Sequence, residues 1–245
     1  MGNSTSTSIN GNGNAFKEKP SEEVDATLYY FGGRGRADQI RWMMAATGVS
    51  FQQRVISDRE RFVRLSENQL PFRQLPMLQI DGQDLAQTQA IIRYLARRAN
   101  MNGTNSVEEV QIDMICEAVH DILPFVLAAP FIKAKSESDW EAHSRLAKVK
   151  WSKFGSRLDL ILKNNGGKVL VGSTLSCADI LVAHVTTWFI EEFGADIVNT
   201  FIHLVELQYL VISLPGIDAF IKNNSLYYPL GGPDYVAQVN EVLGR

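Results

Sequence analysis

Three things are scarce in this chain of 245 residues, and each scarcity closes off a class of function. The two cysteines, Cys116 and Cys177, are far apart in sequence and have no histidine cluster beside them. Neither a disulfide framework nor a zinc site is expected, and a reducing compartment is the simpler setting. Excess charge is also missing: 24 Lys+Arg stand against 27 Asp+Glu, a formal net of -3, which offers no nucleic-acid surface. No uninterrupted apolar run reaches the roughly 18 residues of a bilayer-crossing helix, and the N-terminus lacks the apolar core of a secretory signal. What is present, 45% apolar residues, suffices for one large core or two smaller ones.

The most informative stretch runs Gln74-Leu75-Pro76-Met77-Leu78-Gln79-Ile80-Asp81-Gly82 and closes with Leu85-Ala86-Gln87-Thr88. A proline ahead of a short apolar strand donates no ladder hydrogen bond, so it belongs at a turn entering an edge or where something other than the sheet pairs with the backbone. Leu75 is pushed toward extended geometry and could pair with an extended peptide laid beside it. Asp81-Gly82 reads as a tight hairpin turn. Gln87-Thr88 stand just ahead of a helical pattern, Ala90, Ile91, Tyr94, Leu95, where free amides and a hydroxyl could hold a carboxylate.

Elsewhere, residues 1–25 are Asn, Gly, Ser and Thr followed by charge, a composition that buries too little surface to offset chain entropy and is expected to be a disordered tail. Met1-Gly2-Asn3-Ser4-Thr5-Ser6 fits the N-myristoylation pattern at Gly2, which supports at most weak, reversible membrane association. Thr27 to Phe31 suits a first strand, Ile40, Met43, Met44 and Thr47 a helix stopped by Gly48, and Phe51 to Ile56 a second strand. Asn100 to Ser106 is a polar linker. Beyond it the spacing is helical: Val110 to Val119, Trp140 to Lys153, Leu158 to Leu162, Ile180 to Phe189, Ile217 to Ile221 and an amphipathic Pro233 to Leu243. Ser176-Cys177-Ala178-Asp179 is a capping box, which makes Asp179 a structural acid.

Thr27-Leu28-Tyr29-Tyr30-Phe31, Gly35-Arg36-Ala37-Asp38, the Leu75-Pro76 stretch and the capping box, taken in order, resemble the cytosolic glutathione transferases of the tyrosine-type classes (alpha, mu, pi, sigma) over about residues 27–245. The resemblance implies an α/β plus all-α architecture: a thioredoxin-like glutathione-binding domain at 26–101, then an all-helical domain at 107–245 carrying the electrophile pocket. It implies a cytoplasmic homodimer, peripheral to membranes if Gly2 is acylated, that uses glutathione as co-substrate, with no other cofactor and no metal, on a small hydrophobic electrophile.

Residue by residue, the resemblance places Tyr30 at the catalytic tyrosine, which stabilises the glutathione thiolate. Tyr29 competes, because adjacent strand residues face opposite sides. Arg36 falls on the arginine near that thiolate. Gln74 and Leu75 fall on the contacts to the cysteinyl backbone, and Gln87 and Thr88 on those to the γ-glutamyl end. Asp121 matches the acid that reaches across the dimer to a glutathione amino group, Lys153 a basic position at the glycyl carboxylate, and Phe72 the aromatic key that inserts into the neighbouring subunit. A basic or tryptophan contact from the loop after the second strand is not matched: Leu65 stands about there, with Arg61 and Arg64 nearby. Pro233 to Leu243 either lids the electrophile site or packs on the core.

Overall fold

The computed structural model describes residues 25–223 and 228–245, so Gly2 and the proposed tail up to residue 24 lie outside the described residues. Strand β1 (Ala26–Tyr30) alternates buried Ala26, Leu28 and Tyr30 with half-buried Thr27 and Tyr29. That period of two puts the adjacent tyrosines on opposite faces. Helix α1 (Asp38–Thr47) stops at Gly48, which takes the left-handed conformation of a C-terminal cap. It carries the chain over to β2 (Phe51–Val55), parallel to β1. Helix α2 (Arg59–Asn68) starts where the Asp58 side chain accepts the Arg61 N–H at 2.8 Å.

Strands β3 (Met77–Ile80) and β4 (Gln83–Ala86) form the expected hairpin, with Asp81 at φ 50° and Gly82 at φ 71°, the pair of positive angles that matches the twist of its strands. The sheet order is β2-β1-β3-β4. Pro76 therefore enters a central strand, not an edge as one sequence reading allowed. It stands one residue outside the ladder, so its missing donor interrupts nothing.

After α3 (Thr88–Arg98) the chain is helical: α4 (Ser106–Ile122), α5 (Pro124–Lys133), α6 (Glu137–Asn164), α7 (Cys177–Phe193), α8 (Ile202–Ile212), α9 (Pro215–Lys222) and α10 (Pro233–Leu243). This is a thioredoxin-like unit followed by a helical one. The periodic stretches Trp140 to Lys153 and Leu158 to Leu162 merge into one 28-residue helix, α6. Helix α7 is its centre, buried on nearly every side, with Phe189 stacked on Trp151 at 4.4 Å. Its start is fixed by the capping box: the buried Asp179 carboxylate accepts the N–H and hydroxyl of Ser176 and the N–H of Leu170, each at 2.8 Å. Ser106–Lys133 is apolar enough by length and composition to cross a membrane, yet Ile112, Ile115, Val119 and Val126 are buried here, as in a core helix.

The two units meet where α1 packs on α7 and α9. Asp38 and His184, both about 1% exposed and 146 residues apart, join across that contact at 3.1 Å, and Trp42 sets its ring edge-on to His184 at 5.2 Å. Burial opposes ionisation of Asp38, but the His184 hydrogen bond and charge, then Arg41 and Arg34, hold its carboxyl below the ordinary value.

Candidate active site

Tyr30 ends β1 on the inner face. Gly32-Gly33-Arg34-Gly35 then turns the chain back, so that the Arg36 N–H donates to Tyr30 Oη at 2.9 Å. Gly35 makes the turn possible, because its φ of 45° suits glycine and a Cβ there would run into Tyr30 Oη. The Arg36 side chain is exposed. Tyr29 is committed elsewhere, donating its hydroxyl to Gln79 Oε1 at 2.7 Å. Burial pushes Tyr30 deprotonation up, against the pull of the Arg36 N–H and the Arg41 and Arg36 charges, so the phenol keeps its proton at neutral pH.

Arg41, one turn into α1 and wholly buried, holds the turn in place. Its guanidinium donates to the carbonyls of Gly33 at 3.0 Å and Arg34 at 3.1 Å, to Gln53 Oε1 at 2.9 Å and to Asp38 at 3.3 Å. Tyr228 closes the far side: its ring stacks 4.9 Å from Arg41, its hydroxyl accepts from Gln53 at 3.0 Å, and its carbonyl accepts from Arg34 Nε at 2.6 Å. Arg34 also pairs with Glu191 of α7. Of this polar cluster the sequence reading named only Asp38, as the end of Gly35-Arg36-Ala37-Asp38. The available signal was an arginine one turn after Asp38, among the apolar positions Ile40, Met43 and Met44.

Helix α10 lies over the tyrosine. Gln238 Oε1 accepts the Gly32 N–H at 3.1 Å, the Tyr235 ring packs where a Cβ on Gly33 would collide, and Val239 and Val242 are buried. Burial, then the proximity of Tyr30, pushes the Tyr235 phenol up as well. Of the two readings of this segment, the structure shows the core element, packed beside Tyr30 through Tyr235 and Gln238. Tyr30 is left 5% exposed, and an open depression of about 320 Å³, lined by Asp25, Gln79 and Asp84, lies at the opposite end of the sheet.

Register brings the Leu75-Pro76 bend to the same sheet end. Tyr29 pairs with Met77 and Met77 with Ala86, so Tyr30, Pro76 and Gln87 are the next residues outward on three adjacent strands. With strands about 4.8 Å apart, Tyr30 and Gln87 are separated by roughly 10 Å. The Leu75–Pro76 peptide is cis, and among the described residues neither the N–H nor the C=O of Leu75 has a partner. Exposed Gln87, at φ 69°, donates its side-chain amide to Gln74 Oε1 at 3.2 Å, and Thr88 begins α3, 8% exposed.

The other predicted residues stand apart. Asp121 lies exposed on α4 at the end of an exposed stripe, Val107, Val110, Met114 and Glu117. Arg93 of α3 holds the neighbouring Asp113 at 2.8 Å and Glu117, while Asp121 has no ion pair among the described residues. Lys153 is exposed on α6, whose main packing partners are α4, α5, α7, α8 and the 195–197 turn, none of them part of the sheet end that carries Tyr30. Phe72 is 62% exposed between α2 and β3. Arg61 and Arg64 are exposed on α2. Among the described residues no group of three or more His, Cys, Asp or Glu could hold a metal ion.

Two family models match: glutathione S-transferase, N-terminal domain, over residues 26–97, and glutathione S-transferase, C-terminal domain, over residues 120–224. The chain is 35% identical to glutathione S-transferase alpha-4 of Rattus norvegicus over 222 residues, 90% of this chain and 99% of that protein. It is likewise 35% identical to glutathione S-transferase A4 of Mus musculus, over 88% and 96%. Among solved structures it resembles the monomeric glutathione S-transferase Na-GST-3 of Necator americanus, with a TM-score of 0.72 and 27% identity over 82% of this chain and 98% of that one. It also resembles prostaglandin synthase D of Nilaparvata lugens, with a TM-score of 0.68 and 27% identity over 81% and 97%. A buried tyrosine ending the first strand, an unpaired bend one strand over and this breadth of likeness lead to one statement: the chain belongs to the glutathione S-transferase family.

Proposed function

We propose that glutathione lies along this end of the sheet with its sulfur at Tyr30 Oη, and that the resulting thiolate attacks an electrophilic carbon of a small apolar molecule. One observation carries the reading. The Arg36 N–H occupies an acceptor position on a phenol that keeps its own proton, leaving that proton to be donated to sulfur. An unperturbed thiol near pKa 8.5 is mostly protonated at neutral pH, and lowering it by about two units needs roughly 2.7 kcal/mol of preference for the anion. A charge-assisted hydrogen bond in a water-poor site supplies energy of that order. Arg36 adds positive charge beside it.

The free N–H and C=O of Leu75 suit the cysteinyl backbone, with Gln74 beside them, and Gln87, Thr88 and the open amides of α3 suit the γ-glutamyl carboxylate. Tyr235 stands at Tyr30, so α10 must shift for sulfur to enter. A second copy of the chain would cover exposed Phe72 and the Val107, Val110 and Met114 stripe, delivering Asp121 to the partner's glutathione amino group. A Lys153 contact with the glycyl carboxylate needs that second subunit too. Sedimentation should show a dimer that Phe72→Ser splits, and a monomeric wild type would remove the roles given to Phe72, Asp121 and Lys153. A cytoplasmic setting with weak membrane association through Gly2 is checked by intact mass after expression in a eukaryotic host, where an unmodified mass removes the membrane element.

The test of the main reading is retention on immobilised glutathione together with conjugation of a chloronitrobenzene, in wild type and Tyr30→Phe. Both should be retained, with turnover lower by about two orders of magnitude in the variant. Retention without turnover in wild type points instead to a glutathione-binding scaffold. Isomerisation of an endoperoxide through the same thiolate is a second reading, favoured by the likeness to the insect prostaglandin synthase. It requires turnover of an endoperoxide to exceed that of the chloronitrobenzene.

A further inference from the structure

Cys116 and Cys177 take no part in that chemistry, and the sequence kept them apart. The fold does not: their sulfurs lie 3.9 Å from each other, one on α4 and the other at the first residue of α7, both as free thiols. Cys177 is held in place by the capping box before it and by its own N–H, which donates to the Met101 carbonyl at 2.9 Å. Both residues are almost fully buried, at 1% and 2% exposure. A cavity of about 40 Å³ nevertheless reaches Cys177 between Arg93, Arg97, Asn102 and Asp113. A molecule the size of water needs about 10–15 Å³. Hydrogen peroxide fits such a space and a disulfide of glutathione does not.

The two thiols are also unequal. The hydrogen bond between them pushes Cys116 up and draws Cys177 down, so Cys177 is the sulfur disposed to carry the negative charge. Its place at a helix N-terminus acts in the same direction. Burial and the charges of Asp113 and Asp179 oppose ionisation of Cys177, while Arg93 and Arg97 line the cavity.

We propose that Cys116 and Cys177 are a peroxide-oxidisable dithiol, in which a small hydroperoxide enters this cavity and converts the pair to an intrachain disulfide. The Cys177 thiolate attacks the nearer peroxide oxygen: an S–O bond forms, the O–O bond breaks, and the departing hydroxide takes up a proton to leave as water. Cys116 then attacks the Cys177 sulfenic acid. An S–S bond forms, the S–O bond breaks, and the hydroxyl leaves as a second water carrying the Cys116 proton. Two electrons pass from the sulfurs to the peroxide oxygens. The sulfurs close from 3.9 Å to about 2.0 Å. The bond would tie α4, which carries Asp113, Glu117 and Asp121, to the start of α7.

The experiment exposes the reduced full-length chain, natively folded, to a small excess of hydrogen peroxide, then quenches by alkylating all free thiols in denaturant. Wild type should lose about 2 Da, refuse alkylation at both positions and yield a linked Cys116–Cys177 peptide that dithiothreitol separates. In Cys116→Ser the reaction should halt at a Cys177 sulfenic acid that dimedone captures, and in Cys177→Ser the remaining Cys116 should stay alkylatable. Wild-type chains whose two thiols both remain alkylatable after this exposure overturn the proposal, whether or not either variant folds. So does Cys116 oxidation in Cys177→Ser at the rate of the wild-type pair.

Discussion

At Tyr30 the hydroxyl is met by a backbone amide, the turn behind it is locked by the buried Arg41 guanidinium, and α10 lies overhead. At Leu75 and Gln87, one and two strands away along the same sheet end, the Leu75 backbone is unpaired while its side chain packs on the core, the Gln87 side chain is exposed, and so is its bond to Gln74. The difference fits the chemistry proposed for each region. Holding a sulfur anion needs donors fixed in advance in a place of low dielectric, where they are worth more than in water. Gripping a peptide backbone and a carboxylate needs unpaired groups that a ligand can reach.

Substitutions should therefore divide along the same line. Arg41→Leu removes a buried charged donor from Asp38 and from the carbonyls of Gly33 and Arg34, and should cost about 3–5 kcal/mol of folding stability in urea denaturation, whereas Gln74→Ala in the open region should stay within about 0.5 kcal/mol. Equal costs would break the comparison. Next in size, Gln87→Ala should raise KM for glutathione by roughly tenfold while leaving kcat near wild type, since its proposed contact is with the peptide and not the sulfur. A fall in kcat instead would contradict the peptide contact proposed for Gln87.

The smallest effect is on the alkaline limb of stability. Tyr30 and Tyr235 both deprotonate above the ordinary phenol value of 10.0 when folded, so their contribution is fully present below 10.0 and lost as pH rises through the folded values. Denaturation midpoints should fall above pH 10, and the double variant Tyr30→Phe, Tyr235→Phe should fall less. Asp38 acts at the other end: its lowered value makes its contribution present above 3.8 and lost as pH falls below it.

The hairpin at Asp81-Gly82, the Gly48 stop and the Ser176–Asp179 box were legible because a single residue type settles each, through a positive φ or a reciprocal cap. Helix α8 was not, since Ile202 to Ile212 is apolar on most sides and shows no clear period. The Asp38–His184 and Arg34–Glu191 contacts join residues more than a hundred positions apart, which no local pattern encodes. The cysteines taught the same lesson: 61 residues of separation along the chain became van der Waals neighbours, because α4 packs on α7. The candidate glutathione contacts at the strand ends share one sheet end by register, while Asp121 on α4, Lys153 on α6 and Phe72 between α2 and β3 lie exposed on other elements.

The most direct measurement is the ultraviolet absorbance of bound glutathione thiolate as a function of pH, taken at saturating protein in wild type and Tyr30→Phe. Wild type should show the thiolate titrating about two units below free glutathione, and the phenylalanine variant should return it close to the free value of about 8.5 with glutathione still bound. Identical titrations in the two proteins would show that the Tyr30 hydroxyl does not hold the sulfur anion.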